Sequence, residues 1–101
     1  AGLPTLIAAL SDDSPAVRRE AAVALGCTGG NSIEEMWGYV QVLSRLLARD
    51  ADPEVRSEAA WAIGQLECGQ RPVGVLTDAA RDVDPRVRLH AAAALGLVTR
   101  D

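Results

Sequence analysis

Phenylalanine and lysine are absent from this chain of 101 residues, histidine occurs once, cysteine twice, and aromatic residues make up 3%. A single histidine, His90, leaves no multi-histidine metal site within the chain. Its outward-facing place in the pattern described below also argues against a His-based triad. Cys27 and Cys68 form no CxxC pair. Each sits near a predicted helix C-terminus, where the dipole disfavours a thiolate. They read as free thiols of a reducing compartment, which places the chain in the cytoplasm. No apolar run approaches the roughly 18 residues of a membrane span, and no basic-then-apolar signal segment opens the chain. The opening Ala1 fits a processed or excised piece. Five prolines and nine glycines are too few, and an apolar fraction of 49% too high, for a disordered chain. A net charge of −4 provides no overall positive field for a phosphate backbone, which argues against nucleic acid.

What is present is alanine, eighteen times, with leucine and valine. Alanine is the best helix former, and its small side chain lets backbones approach closely. Thin, tightly stacked helices follow.

A thirteen-residue pattern occurs three times. Ser14-Pro15-Ala16-Val17-Arg18-Arg19-Glu20-Ala21-Ala22-Val23-Ala24-Leu25-Gly26 returns as Asp52-Pro53-Glu54-Val55-Arg56-Ser57-Glu58-Ala59-Ala60-Trp61-Ala62-Ile63-Gly64. It returns again as Asp84-Pro85-Arg86-Val87-Arg88-Leu89-His90-Ala91-Ala92-Ala93-Ala94-Leu95-Gly96. The spacing is 38 residues and then 32, so six extra residues lie between Gly26 and Asp50. Ser14, Asp52 and Asp84 supply N-caps, proline suits the first helical position, and the closing glycine is expected to end or loosen the helix. A second apolar stretch precedes each copy, and Ser32-Ile33-Glu34-Glu35 opens the middle one as a capping box. Six helices are predicted, at about 3–11, 15–27, 33–49, 53–67, 72–82 and 85–99, alternating B, A, B, A, B, A, with the pattern on each A helix. Short connections make neighbours antiparallel. A helix pair cannot bury its apolar face alone, so the pairs stack into an all-α solenoid of about three pairs, one domain over 1–101.

The pattern D-P-x-V-R-x-x-A-A-x-A-L-G resembles the short HEAT-like repeat of the type associated with phycobilin lyases, over nearly the whole chain. The resemblance implies a convex side of A helices and a concave side of B helices. The insertion within about 27–40 departs from it and implies a longer B helix or a larger loop there. Deoxyhypusine hydroxylases, built from similar repeats, carry His-Glu pairs where this chain has Arg19-Glu20, Ser57-Glu58 and Leu89-His90, so their di-iron activity is not expected.

At 100° per residue Val17, Ala21, Ala24 and Leu25, with their counterparts, fall on one face and are expected in the core. Arg18, Arg56 and Arg88 lie beside that face, and Asp12, Asp50 and Asp82 recur six residues before each. Two arrangements are open. Either each arginine bonds aspartates and turn carbonyls within and between repeats as a ladder, or its head reaches solvent along its stem. Trp61 replaces Val23 and Ala93 at a position predicted to point outward. It is a candidate binding anchor, with covering a seam as the alternative. Trp37, Tyr39 and Met36, beside the insertion, are expected to pack onto the core.

The glycine-rich Gly26-Cys27-Thr28-Gly29-Gly30-Asn31 lacks the lysine and preceding strand of a phosphate loop and reads as a turn. The paired carboxylates match helix starts. No cofactor, metal or catalytic residue is therefore expected. The function read from the sequence is a non-enzymatic protein-interaction scaffold. Gln41, Arg45, Arg49, Thr77, Asp78 and Arg81 on the concave side would meet a partner helix or extended segment, and Trp61 would be a separate convex candidate. Two alternatives stand beside it: an accessory subunit of a bilin lyase or isomerase, and a fragment of a longer solenoid. Apolar end faces at Leu3, Leu6, Leu97 and Val98 would permit self-association.

Overall fold

The computed structural model describes residues 3–29, 32–66 and 71–96. Six helices follow in order: α1 Leu3–Ala9, α2 Pro15–Thr28, α3 Ile33–Arg49, α4 Pro53–Gln65, α5 Val73–Ala79 and α6 Pro85–Ala94. Among the described residues there is no strand, and no helix is long and apolar enough to cross a membrane. α4 lies between α2 and α6 and packs extensively on both; α3 packs on α4 and α5, α1 on α2, and α5 on α6. The A helices α2, α4 and α6 thus form one layer and the B helices the other. The stack is an α-solenoid of three helix pairs.

The six extra residues lengthen a B helix. α3 has 17 residues, against seven in α1 and in α5. Ser32 Oγ accepts from Glu35 N–H at 3.1 Å and starts α3 where the capping box places it. Tyr39, Val40, Leu43 and Leu47 then form its buried stripe, while Met36 and Trp37 pack half-buried against the same core. Asp52 Oδ1 caps Glu54 and Val55 N–H, and Asp84 Oδ1 caps Arg86 N–H. Ser14 differs, since its side chain makes no capping bond. There the turn is held by Asp12 Oδ1, which accepts from Ser14 N–H at 2.9 Å.

Three expectations need correction. The pattern glycines are not all helix ends: Gly26 and Gly64 are inside α2 and α4, and only Gly96, at φ +81°, follows its helix. Gly26 serves close approach instead. A Cβ there would sit 2.9 Å from Ala62 Cα and 2.8 Å from Trp61 Cζ3, so α2 and α4 touch backbone to backbone. Next, Val17 is 38% exposed, whereas Val55 and Val87 are fully buried. Val55 shares its stripe with Ala62, the side of α4 that meets α2; α2 has no A helix on its corresponding side, so Val17 and Ala24 stay partly open. Finally, α1, α4 and α5 end earlier than predicted and α6 closes at Ala94. Leu97, Val98 and Cys68 lie outside the described residues, and Leu6 packs half-buried on the core.

Candidate functional site

The chemistry of the stack concentrates where each B helix turns into its A helix. Arg18, one turn into α2, donates from Nη1 to the carbonyls of Asp12 and Asp13 at 2.7 and 3.1 Å, closing the turn behind it. Its other edge reaches into the next repeat, with Nε and Nη2 donating to Asp50 Oδ2 and Oδ1 at 2.8 and 3.2 Å. Arg56 repeats both contacts one copy on. Its Nη1 donates to the Asp50 and Ala51 carbonyls at 2.9 and 3.2 Å, and Nε and Nη2 to the Asp82 carboxylate at 2.9 and 3.0 Å. Among the described residues Arg88 keeps only the turn contacts, to the Asp82 and Val83 carbonyls. Asp50 and Asp82 also accept from Asp52 and Asp84 N–H, as Asp12 does from Ser14. Each of these two carboxylates therefore holds its own turn and the arginine of the preceding repeat.

Burial fits this division of contacts. The side chains of Arg18 and Asp50 are 18% and 4% exposed. The planar guanidinium satisfies two carbonyls and a carboxylate together, which a lysine cannot do. The Arg56 hydrogen bond holds the Asp82 carboxyl below its ordinary range, against burial, which pushes it up. Asp84 is lowered too, chiefly by its bond to Arg86.

Between the α1–α2 turn and the C-terminal half of α3 lies a surface cavity of about 450 Å³. Leu10, Val42 and Leu46 give it an apolar floor; Arg45 and Arg49 line it from α3, Ser11, Asp12 and Asp13 from the α1–α2 turn, and the Arg18–Asp50 pair also borders it. The helix repeat explains the α3 wall, since 42, 45, 46 and 49 fall on one face. The cavity forms because α3 has no packing on α1 comparable to its contacts with α4 and α5.

Of the sequence-predicted concave residues, the structure brings Arg45 and Arg49 into this cavity. Gln41, Thr77, Asp78 and Arg81 are exposed but do not line it. Trp61 does not point away from the core. It is half-buried across Gly26 and packs against the core cluster, because a glycine on α2 leaves a slot for its ring. His90 is half-buried rather than fully outward, beside Ser57, Glu58 and Arg86 in a shallow polar depression. Cys27 is a free, exposed thiol in the last turn of α2. Among the described residues no group of three histidine, cysteine, aspartate or glutamate side chains is placed to hold a metal ion.

Sequence reasoning missed a charged chain across the A layer. Arg19 Nη1 meets Glu54 Oε2 at 2.9 Å, Glu54 Oε1 meets Arg86 Nη1 at 3.9 Å, and Arg86 Nη2 meets Asp84 Oδ2 at 3.1 Å. The positions held by Ala16, Glu54 and Arg86 vary between copies. The only available signal was opposite charge at facing positions of successive A helices.

No curated protein matches the chain. A family model described as HEAT repeats matches residues 40–101, more than half of the chain, and one described as HEAT repeat matches residues 3–27. The helix pairs, the stacked A layer and these two matches agree: the chain belongs to the HEAT repeat family.

Proposed function

We propose that this chain is a protein-interaction module whose working surface is the B-helix side, centred on the cavity between the α1–α2 turn and α3. The observation that carries this reading is an apolar floor flanked by two exposed arginines, on a rigid helix pinned by the arginine–aspartate turns. Such a surface presents fixed side chains to a partner helix or extended segment, and the free energy comes from their burial rather than from any rearrangement. HEAT repeats act broadly as interaction or scaffold solenoids, and a non-catalytic role accords with a sequence holding one histidine. A cytoplasmic setting accords with the free Cys27. The bilin-binding alternative draws no support from this cavity, none of whose lining residues is aromatic.

A second reading, end-to-end stacking with a further repeat or another copy, is favoured by one observation. Among the described residues Arg88 meets no carboxylate of the kind that Arg18 and Arg56 hold, and Leu89 is 58% exposed beside it.

Affinity capture from native extract with the wild type, Arg45→Glu and Trp61→Ala tests the main reading. Loss of a specific partner in Arg45→Glu alone supports it. Loss in Trp61→Ala alone, with the melting temperature checked, moves the site to the A layer, and retention in both removes it.

A further inference from the structure

The arginines of this chain divide sharply. Arg18, Arg19, Arg56 and Arg86 each hold a carboxylate, and Arg88 holds two carbonyls. Arg45, Arg49, Arg71 and Arg81, all exposed, make no side-chain hydrogen bond or ion pair among the described residues, and of these four only Arg45 and Arg49 line the cavity. Arg45 and Arg49 stand four residues apart on α3, where like charges oppose the helix. The helix dipole favours Arg49 in the last turn but gives Arg45, one turn earlier, no comparable help. In a chain of net charge −4 this is a local positive edge left open beside Leu10, Val42 and Leu46.

Building on the interaction reading, we infer that the cavity takes an extended segment of a partner protein in which an aliphatic side chain lies between acidic ones. The aliphatic group covers the apolar floor of Leu10, Val42 and Leu46, and the flanking carboxylates face Arg45 and Arg49, whose forks donate to them bidentately. The α1–α2 turn sharpens this choice. Asp12 and Asp13 line the cavity from that turn, so a polyanion such as nucleic acid is repelled along one edge, whereas a peptide strand places successive side chains on alternate sides. Acidic residues turn toward α3, and uncharged or basic ones toward the α1–α2 turn.

A random twelve-residue peptide display library panned on the intact chain tests this. Binding of a fluorescein-labelled acidic–aliphatic peptide is then followed by anisotropy. The expected result is enrichment of aspartate or glutamate around leucine, isoleucine or valine. The labelled peptide should bind at least tenfold more weakly to Arg45→Glu/Arg49→Glu, and to a lesser degree more weakly to the milder Arg45→Gln/Arg49→Gln. Binding should weaken several-fold between 50 and 300 mM salt and be unchanged in Gln65→Ala, on exposed α4 surface. Selected peptides without acid that still lose affinity in Val42→Gln overturn the acidic assignment and leave the interaction reading intact. Failure of every selected peptide to respond to these cavity variants overturns both. Displacement of the labelled peptide by an oligonucleotide or inorganic phosphate at equal charge concentration overturns the assignment to a carboxylate peptide.

Discussion

Arg56 and Asp82 are joined edge to edge across 26 residues, Nε to Oδ2 at 2.9 Å and Nη2 to Oδ1 at 3.0 Å, while the third nitrogen of the same guanidinium closes the turn at Asp50 and Ala51. One side chain thereby ties a turn to the repeat that follows it. Arg56→Leu should lower stability by about 1.5–2 kcal/mol, the low end for hydrogen bonds to a charged group, because the rim is reached by water. In a chain of this size that corresponds to a drop of roughly 10 °C in Tm. Helix content by circular dichroism should not change below the transition. Arg88→Leu, which removes only turn contacts, should cost less. A cycle with Asp82→Asn should show coupling to Arg56 and none to Arg19; equal effects of Arg56→Leu and Arg88→Leu would remove the inter-repeat contribution.

Acid should loosen the stack through the same carboxylates. Asp82 and Asp84 are held below the ordinary range when folded, so the fold favours their ionised forms. Their contribution is complete above about pH 4, the unfolded value, and is lost as pH falls toward the lower folded values. Tm against pH should therefore be flat near neutrality and fall below about pH 4. Asp82→Asn should start lower at pH 7 and decline less steeply in acid.

Two glycines should respond in opposite directions. Gly26→Ala places a Cβ 2.9 Å from Ala62 Cα, which no rotamer change relieves, so a loss of about 1–3 kcal/mol is expected despite the better helix propensity of alanine. Trp61→Ala should not rescue it, since the backbone contact remains. Gly38, in α3, has nothing within 4 Å of its would-be Cβ, and Gly38→Ala should stabilise by up to about 1 kcal/mol. Urea unfolding of the four chains reads both signs.

Tyr39 is the one tyrosine of the chain, so its ionisation can be followed directly by ultraviolet absorbance. Burial first, and then the Glu35 carboxylate to which its hydroxyl donates at 3.3 Å, raise its pKa above the ordinary value of 10.0. A midpoint above 10 is expected, moving down but not fully back in Glu35→Gln. Because the neutral phenol is favoured in the fold, this contribution is present below pH 10 and is lost as pH rises through the folded value.

The architecture was legible because its cause is periodic. The proline and the apolar positions of each copy repeat the same local physics, and Val55, Val87, Ala59 and Ala91 are all buried. α3 begins at Ile33 because its capping box is an explicit local signal. Position within the stack was harder to read. Val17 occupies the same place in the pattern as Val55 yet lies on a side with no A helix before it among the described residues, which no single-copy pattern encodes. Gly26 was read as a terminator because glycine serves both chain ends and close approach, and only the packing of Ala62 and Trp61 decides between them. The chain from Arg19 through Glu54 to Arg86 joins positions that do not repeat. The cavity depends on how far α3 stands from α1, a distance set by tertiary packing. Arg45 and Arg49 could be placed on the B side by helical phase, but their lack of carboxylate partners could not.

Asp50 answers to two masters, its own turn through Asp52 N–H and the preceding helix through Arg18. Peeling away either neighbour leaves that carboxylate with half of its partners, so damage in one hairpin is felt at once in the next. Pulled from its ends, such a stack should rupture as a whole, in a single force peak, rather than shed its hairpins in turn.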